Sequence, residues 1–297
     1  MLKGNELPSI KALRTFIAVA NNMSFSKAAD ELSVTQGAVS KQISSLELQL
    51  GQPLFQRHIN GIELSNAGKR YLPKIVEALE IIQYATASLI QTDQVEEILT
   101  VNVTPSFASL WLIPQIESFN QKNKNIRVRI KTGDGMVKKM DLETEIMVRC
   151  LPISKHYENA TLLQKENLVL VASPVLLENE GVKTIDDLQR LILLPHVTRP
   201  HLWEQFKRKR EVDFSFNYHS VAFEHFYMSL EAVKKGVGLA LLPDFMVDAQ
   251  LEKGQLVNPF NLSMKTNYGY YVHIPSYKLA SRKIYEFNQW LQANLGN

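Results

Sequence analysis

Three helix-start signals fall within the first 36 residues, and together they constrain the fold more than anything else in the chain. Ser9 precedes Ile10, Leu13, Phe16, Ile17 and Ala20, an apolar set at helical spacing that runs to Asn21-Asn22. Ser24 precedes Phe25, Ala28, Ala29 and Leu32, whose small alanines let a neighbouring helix approach closely. Thr35 precedes Val39, Ile43, Leu46 and Leu50, and Gly51 then supplies a C-cap. The other face of this third helix carries Gln36, Ser40, Lys41 and Ser44. Two capped helices in quick succession, the second presenting amides, hydroxyls and a lysine, predict a helix-turn-helix whose second helix enters a DNA major groove.

The next segment extends that unit. Leu54-Phe55-Gln56-Arg57 and Ile62-Glu63-Leu64 flank His58-Ile59-Asn60-Gly61, and Asn-Gly between apolar runs predicts a hairpin that would serve as a wing. Arg57 and His58 would then reach phosphate or the minor groove. Residues 1–75 carry nine Lys/Arg against five Asp/Glu, whereas the remainder carries 24 against 25, so the chain's net charge of +3 conceals a basic module on a near-neutral body. Taken singly, each polar residue is equally well read as solvated surface. Taken together, they are not.

The run Phe25-Ser26-Lys27-Ala28-Ala29-Asp30-Glu31-Leu32, then Val34 through Glu47, then Leu54-Phe55-Gln56-Arg57, resembles the N-terminal signature of LysR-type transcriptional regulators. Gly37 departs from the Pro or Ser more often found there. Pro195 to Pro200, and Phe223-Glu224-His225-Phe226 through Gly238 to Pro243, are most similar to the glycine-cleavage activator and AmpR-like branch. The resemblance implies a winged helix-turn-helix at residues 1–65, a linker and dimerisation helix at 66–94, and an α/β effector domain at 95–297. That domain would have two lobes like a periplasmic binding protein, lobe I at about 95–165 and 269–297 and lobe II at about 166–268, with crossings near 163–168 and 266–270.

Leu72, Ile75, Leu79, Ile82, Thr86 and Leu89 step by three and four, an a/d seam of more than two heptads. It could dock on its own body or on a second copy; the resemblance implies a homodimer or homotetramer. Pro73 predicts a kink or a fresh start near residues 72–74. From Ile98 onward strand-like and helical runs alternate: Leu99 to Val103, a helix from about Ser106 to Phe119, Ile126 to Ile130, a short helix near Met136 to Leu142, and Ile146 to Val148. Leu168 to Ala172, Val237 to Leu242 and Tyr268 to His273 follow, with a closing helix through Ile284, Phe287, Trp290 and Leu291. This pattern predicts a mostly parallel sheet.

Ligands of such sheets lie at strand carboxyl ends near helix N-termini. Thr104, Ser106 and Phe107 follow the first strand and could hold a carboxylate, or Thr104 could merely cap the helix that Pro105 begins. Arg149 ends another strand and faces either the cleft or solvent. Thr198 and Arg199 form a polar loop with His196, and His225 begins a helix after Phe223; either set could line the pocket of the second lobe, with Tyr268 a further candidate, or simply cap its helices. The aromatic set Phe223, Phe226, Tyr227, Tyr268, Tyr270 and Tyr271 could enclose an effector, with Glu224 as counter-charge, or belong to the core. Glu145 stands at or near a position where the family usually carries aspartate.

No G-x-S-x-G, H-E-x-x-H, Walker A or C-x-x-C motif is present, and seven histidines show no zinc spacing, so no catalytic residue, metal or cofactor is expected. Met1 to Pro8 lacks the apolar core of a signal peptide, and no stretch approaches the roughly 18 apolar residues of a membrane span. A single cysteine, Cys150, agrees with a reducing, cytoplasmic setting. A solute-binding protein would account for the C-terminal part and leave residues 1–92 unexplained. The expected function is therefore a ligand-responsive DNA-binding regulator with double-stranded DNA, a small-molecule effector, itself and RNA polymerase as partners. Gln36, Lys41 and Ser40 would read bases from the segment Thr35 to Ser44, and Ser24, Lys27, Ser44 and Arg57 would hold phosphate.

Overall fold

The computed structural model describes residues 7–58, 61–90, 96–134, 143–210 and 217–295, in two compact units, Met1–Asp93 and Gln94–Asn297. In the first unit, α1 (Ile10–Asn22), α2 (Phe25–Glu31) and α3 (Gln36–Leu50) begin at the three expected caps: Ser9 accepts the N–H of Ala12, Ser24 that of Lys27 and Thr35 that of Ala38. Gly51 closes α3 in the left-handed region at φ 68°, where a side chain would be strained. Phe16, Val19, Ala28, Val39, Ile43 and Leu46 meet in one core. The strands β1 (Phe55–His58) and β2 (Gly61–Leu64) pair antiparallel, with Phe55 opposite Leu64 and His58 opposite Gly61. Ile59 and Asn60, on which the hairpin expectation turned, lie outside the described residues. Glu47 ties the wing to α3 by accepting the N–H groups of Leu54 at 2.7 Å and Phe55 at 3.1 Å.

The helix α4 (Asn66–Ile90) follows, with Ser65 accepting the N–H of Gly68 at its start. A Cβ at Gly68 would collide with the carbonyl oxygen of Leu54, so only glycine lets α4 approach the first strand. Of the kink or fresh start expected near residues 72–74, the fresh start does not occur: one helix runs through Pro73. The ring removes a donor, yet its fixed φ is helical, and Tyr71, Leu72, Ile75 and Leu79 beside it are held against the core. The a/d seam thus divides. Its first half docks on its own body, while Ile81 and Ile82 further along are 41% and 48% exposed.

The second unit is built on a six-stranded sheet in the order β4-β3-β5-β10-β6-β9. In chain order its elements are β3 (Glu97–Val103), α5 (Pro105–Phe107), a π-helical turn (Ala108–Leu112), α6 (Ile113–Lys122), β4 (Ile126–Thr132), β5 (Ile146–Pro152) and β6 (Ala160–Val171). Then come α7 (Pro174–Asn179), β7 (Ile192–Leu193), α8 (Leu202–Arg210), β8 (Asn217–Tyr218), α9 (Phe226–Lys234), β9 (Ala240–Pro243), α10 (Asp244–Glu252), β10 (Ser263–His273) and α11 (Arg282–Leu295). The short β7 and β8 pair separately. The helix expected near Met136 to Leu142 lies outside the described residues.

The sheet is mixed, which corrects the expectation of a mostly parallel one. Only β3 pairs in parallel, with β4 and β5; β10 runs antiparallel to β5 and β6, and β6 antiparallel to β9. The reason is that β6 and β10 are the two crossings and traverse the lobes in opposite directions. At about 3.3 Å per residue, strands of 12 and 11 residues reach both cores. Leu163 on β6 and Tyr270 and Val272 on β10 pack with Val101, Trp111, Phe119 and Phe287 in lobe I. Leu168 to Val171 and Met264 pack with Leu193, Trp203, Phe206 and Leu241 in lobe II. The crossings therefore fall inside continuous strands.

Candidate nucleic-acid interface and ligand cleft

On α3, burial of Val39, Ile43 and Leu46 turns Gln36, Lys41 and Ser44 outward, with Ser40 half-buried beside them. The reading face is thus carried on a helix anchored from behind. The Thr35 and Ser24 hydroxyls accept backbone N–H groups as caps, which leaves each O–H free to donate to a phosphate oxygen. Lys27 and His58 are exposed; Arg57 lies in β1, and its side chain is outside the described residues. A Gln amide can pair with adenine and a Lys ammonium with guanine at their major-groove edges.

In the second unit the predicted cleft residues gather around the first turn of α9. Thr104 caps α5 by accepting the N–H of Phe107, and the Ser106 hydroxyl accepts the N–H of Tyr227 at 3.4 Å, joining the two lobes. His225 precedes α9, lies parallel to Tyr227 with ring centroids 5.6 Å apart, and holds Nε2 3.7 Å from Asp134 Oδ2 on the opposite lobe. The next residue, Phe226, packs at 4.7 Å from His196, whose Nδ1 lies 3.2 Å from the Thr198 hydroxyl. Phe223 is half-buried and bridges His196 through the backbone.

Arg199 reaches from this loop to the crossing strands. Its Nη1 donates to Glu166 Oε2 at 2.6 Å, and its Nη2 to Cys150 Sγ at 3.2 Å. Its guanidinium lies 4.5 Å from the Tyr268 ring centroid and 5.4 Å from that of Phe226. Thr266 donates to the same Glu166 oxygen at 2.7 Å. The pair is desolvated, with side chains 17% exposed for Arg199 and 0% for Glu166. Burial alone would lower the Arg199 pKa, but the Glu166 carboxylate holds it above its ordinary value. Burial, reinforced by Glu166, pushes the Cys150 thiol up to about 12, so it stays protonated. Burial, then the charge of Arg199 and His225, pulls His196 down to about 4. Glu166 and Thr266 escaped the sequence reading, and Cys150 entered it only as the chain's single cysteine; the one local signal is a carboxylate two residues before the apolar run Leu168 to Ala172.

Three expectations change. Phe107 is 0% exposed and packs on Trp111, Phe245 and Tyr270, so it is core and offers no surface to an effector. Arg149 points away from the Arg199 cluster, because alternation along β5 puts it on the face opposite Cys150. The aromatic set splits: Phe226 and Tyr270 are core, Tyr268 lies against Arg199, and Tyr271 lines a separate cavity. Glu145 has a structural explanation, for it accepts the N–H of Thr100 and pairs with Lys283 at 2.9 Å. Among the described residues no group of three His, Cys, Asp or Glu is placed to hold a metal, and no helix is long and apolar enough to cross a membrane.

Residues 10–69 match the family model for the bacterial regulatory helix-turn-helix protein of the lysR family, and residues 92–296 match the LysR substrate binding domain. The glycine cleavage system transcriptional activator of Escherichia coli is 35% identical, over 97% of this chain and 94% of that protein. A carbapenem-hydrolyzing beta-lactamase transcriptional activator of Enterobacter cloacae is 29% identical over 95% and 94%. Among solved structures, ArgP from Mycobacterium tuberculosis superposes with a TM-score of 0.61 at 18% identity, covering 98% of each chain. The AmpR effector binding domain from Citrobacter freundii superposes at 0.57 and 22% identity, covering 67% of this chain and 98% of that one.

Proposed function

The chain belongs to the LysR family of DNA-binding transcriptional regulators with an effector-binding domain, and from that premise we propose how its own residues recognise DNA and respond to a ligand. Gln36 and Lys41, with Ser40, read base edges from α3 in the major groove, while Ser24, Lys27, Thr35, Ser44, Arg57 and His58 hold the phosphate backbone and set the register. The observation that supports this reading best is the outward row Gln36, Lys41 and Ser44 on a helix fixed by Val39, Ile43 and Leu46. Residues 66–94 join two copies through the exposed apolar stretch of α4 at Ile81 and Ile82, so that paired half-sites multiply affinity. The setting is the cytoplasm, the protein carries out no reaction of its own, and the further partner is RNA polymerase.

The effector lies between the lobes, against Thr104, Ser106, Thr198, Phe223, His225 and Tyr268. Arg199 takes part through its ion pair. Because Glu166 already neutralises it, a bound carboxylate has to compete with Glu166, whereas a neutral or zwitterionic effector does not. Binding shifts an existing equilibrium between lobe arrangements and thereby changes half-site spacing and DNA bend. The test is fluorescence anisotropy of the full-length protein on the duplex upstream of its own gene, with a scrambled duplex as control and salt varied. Tighter, salt-dependent binding to the native duplex is expected; equal, weak binding to both would contradict the reading of α3.

A further inference from the structure

The two crossing strands differ in how they pass from one lobe to the other. On the lobe II side, Ser263, Met264 and Lys265 of β10 stand opposite Val169, Leu168 and Asn167 of β6; on the lobe I side, Gly269 and Tyr270 stand opposite Lys165 and Gln164. Between these stretches the three residues Thr266, Asn267 and Tyr268 oppose Glu166 alone, so β10 carries a bulge. It falls where the cores change over, since Met264 packs in lobe II and Tyr270 in lobe I. A second irregularity, between Tyr270 and Tyr271, lies within lobe I, where β5 pairs with β10 without a break from Tyr268 to His273.

Both flanks of the bulge are held firmly. On the lobe I flank, Gly269 lies so close to β6 that a Cβ there would press on Leu162 and on the carbonyl oxygen of Gln164. On the lobe II flank, Lys209 of α8 donates to the Lys265 carbonyl oxygen at 2.6 Å, and Arg210 donates through Nε to the Ser263 carbonyl oxygen and through Nη2 to the Ser263 hydroxyl at 3.0 Å. The bulge itself hangs on a side chain. The Thr266 hydroxyl accepts the N–H of Tyr268 at 3.1 Å and donates to Glu166 Oε2 at 2.7 Å, while Ile153 N–H donates to the Asn267 carbonyl oxygen at 2.8 Å. Glu166 also accepts from Arg199 of the lobe II loop and from the Cys150 thiol of β5, so one buried carboxylate ties both crossings to each lobe. Regular ladders along both crossings would resist rotation of one lobe against the other. Three residues facing one can absorb the change in φ and ψ while β6 stays paired.

We propose that the lobes pivot about Glu166, with Thr266 to Tyr268 as the segment that changes conformation, and that Thr266 is a positioning residue whose hydroxyl sets the resting angle. Removing that hydroxyl leaves the Tyr268 N–H and the Glu166 carboxylate each short of one hydrogen bond, so the bulge samples more conformations while the ladders on either side persist. The inference rests on the reading that the lobes have more than one arrangement, and it holds wherever the effector binds.

The experiment is electron–electron double resonance on the full chain without effector, with spin labels at Gln121→Cys on α6 and Glu178→Cys on α7, exposed positions of lobe I and lobe II. Excess unlabelled protein keeps one labelled copy per assembly, and Cys150, whose thiol stays protonated, escapes labelling. Thr266→Val should broaden the distance distribution by several ångström and Thr266→Ser should restore it, while Thr161→Val, in the ladder of lobe I, leaves it unchanged. Hydrogen exchange of Thr266→Val should quicken about tenfold between Lys265 and Gly269 and stay as in the wild type at Ile146 to Val148 and Leu168 to Val171. Thr266→Ala removes the same hydroxyl without setting a methyl group against the carboxylate, and it is read in the same way if Thr266→Val does not fold. A broad wild-type distribution that is unchanged in Thr266→Val overturns the pivot alone; a single narrow distribution in both overturns the equilibrium between lobe arrangements as well. Exchange quickened equally in every strand, or Thr266→Ser behaving like Thr266→Val, also overturns the proposal, because the hydroxyl would then be merely structural.

Discussion

Replacing Glu166 by glutamine tests what the buried pair with Arg199 contributes. The amide oxygen of Glu166→Gln can still accept from Arg199 and Thr266, so geometry is largely kept while the charge is lost. Removing one partner of a buried ion pair typically costs about 3 to 5 kcal/mol, because the other charge is left unpaired. Arg199 keeps 17% of its side-chain surface in water, which places the expectation near the lower end, about 3 kcal/mol. With a urea slope of about 2 kcal/mol/M, the unfolding midpoint should fall by about 1.5 M. Trp111, Trp203 and Trp290, the chain's three tryptophans, all lie in the unit Gln94–Asn297, so tryptophan fluorescence follows that unit without contribution from the DNA-binding one. The double variant Glu166→Met/Arg199→Met removes both charges at similar volume and should remain within about 1 kcal/mol of the wild type. A double variant as unstable as Glu166→Gln, or a single variant with an unchanged midpoint, would refute the reasoning.

Three further outcomes follow from the same structure. The His196 pKa near 4 lies below its ordinary 6.5, so the folded state refuses a proton that the unfolded chain accepts; the resulting stability is complete above pH 6.5 and is lost as pH falls toward 4, at up to about 1.4 kcal/mol per unit. The stability gap between wild type and His196→Gln should therefore shrink from pH 7.5 to pH 5 in urea titrations, and a constant gap would count against it. Ile82→Glu puts charge on the exposed stretch of α4 and should shift sedimentation toward monomer at micromolar concentration; an unchanged profile would place self-association elsewhere. Lys27→Ala should weaken binding to all duplexes alike and lower the salt slope by about one unit, whereas a sequence-dependent loss would assign Lys27 to base contact.

The DNA-binding unit was legible because its signals are local. Each cap hydroxyl accepts an N–H three residues on, so Ser9, Ser24 and Thr35 can be recognised without knowing the rest of the fold. The effector unit was legible only in outline. The first two thirds of β6, Ala160 to Asn167, are too polar to stand out beside Leu168 to Ala172, and the crossings were placed by resemblance instead of by periodicity. Arg199 was singled out, but its partner Glu166 lies 33 residues away and Thr266, which also donates to Glu166, lies 100 residues from that carboxylate, and no spacing rule connects them. Phe107 shows the opposite error. It adjoins the hydroxyls of Thr104 and Ser106, yet the turn of the helix carries its ring into the core. Pro73 starts no new helix because tertiary packing outweighed one missing hydrogen bond.

The central claim is that α3 reads bases through Gln36. Competition anisotropy with Gln36→Ala, on the duplex upstream of the protein's own gene and on a scrambled duplex, tests it most directly. The account predicts a loss of about 1 to 3 kcal/mol on the native duplex and little on the scrambled one, so that the ratio of the two affinities collapses. An equal loss on both duplexes, with the ratio preserved, would contradict it.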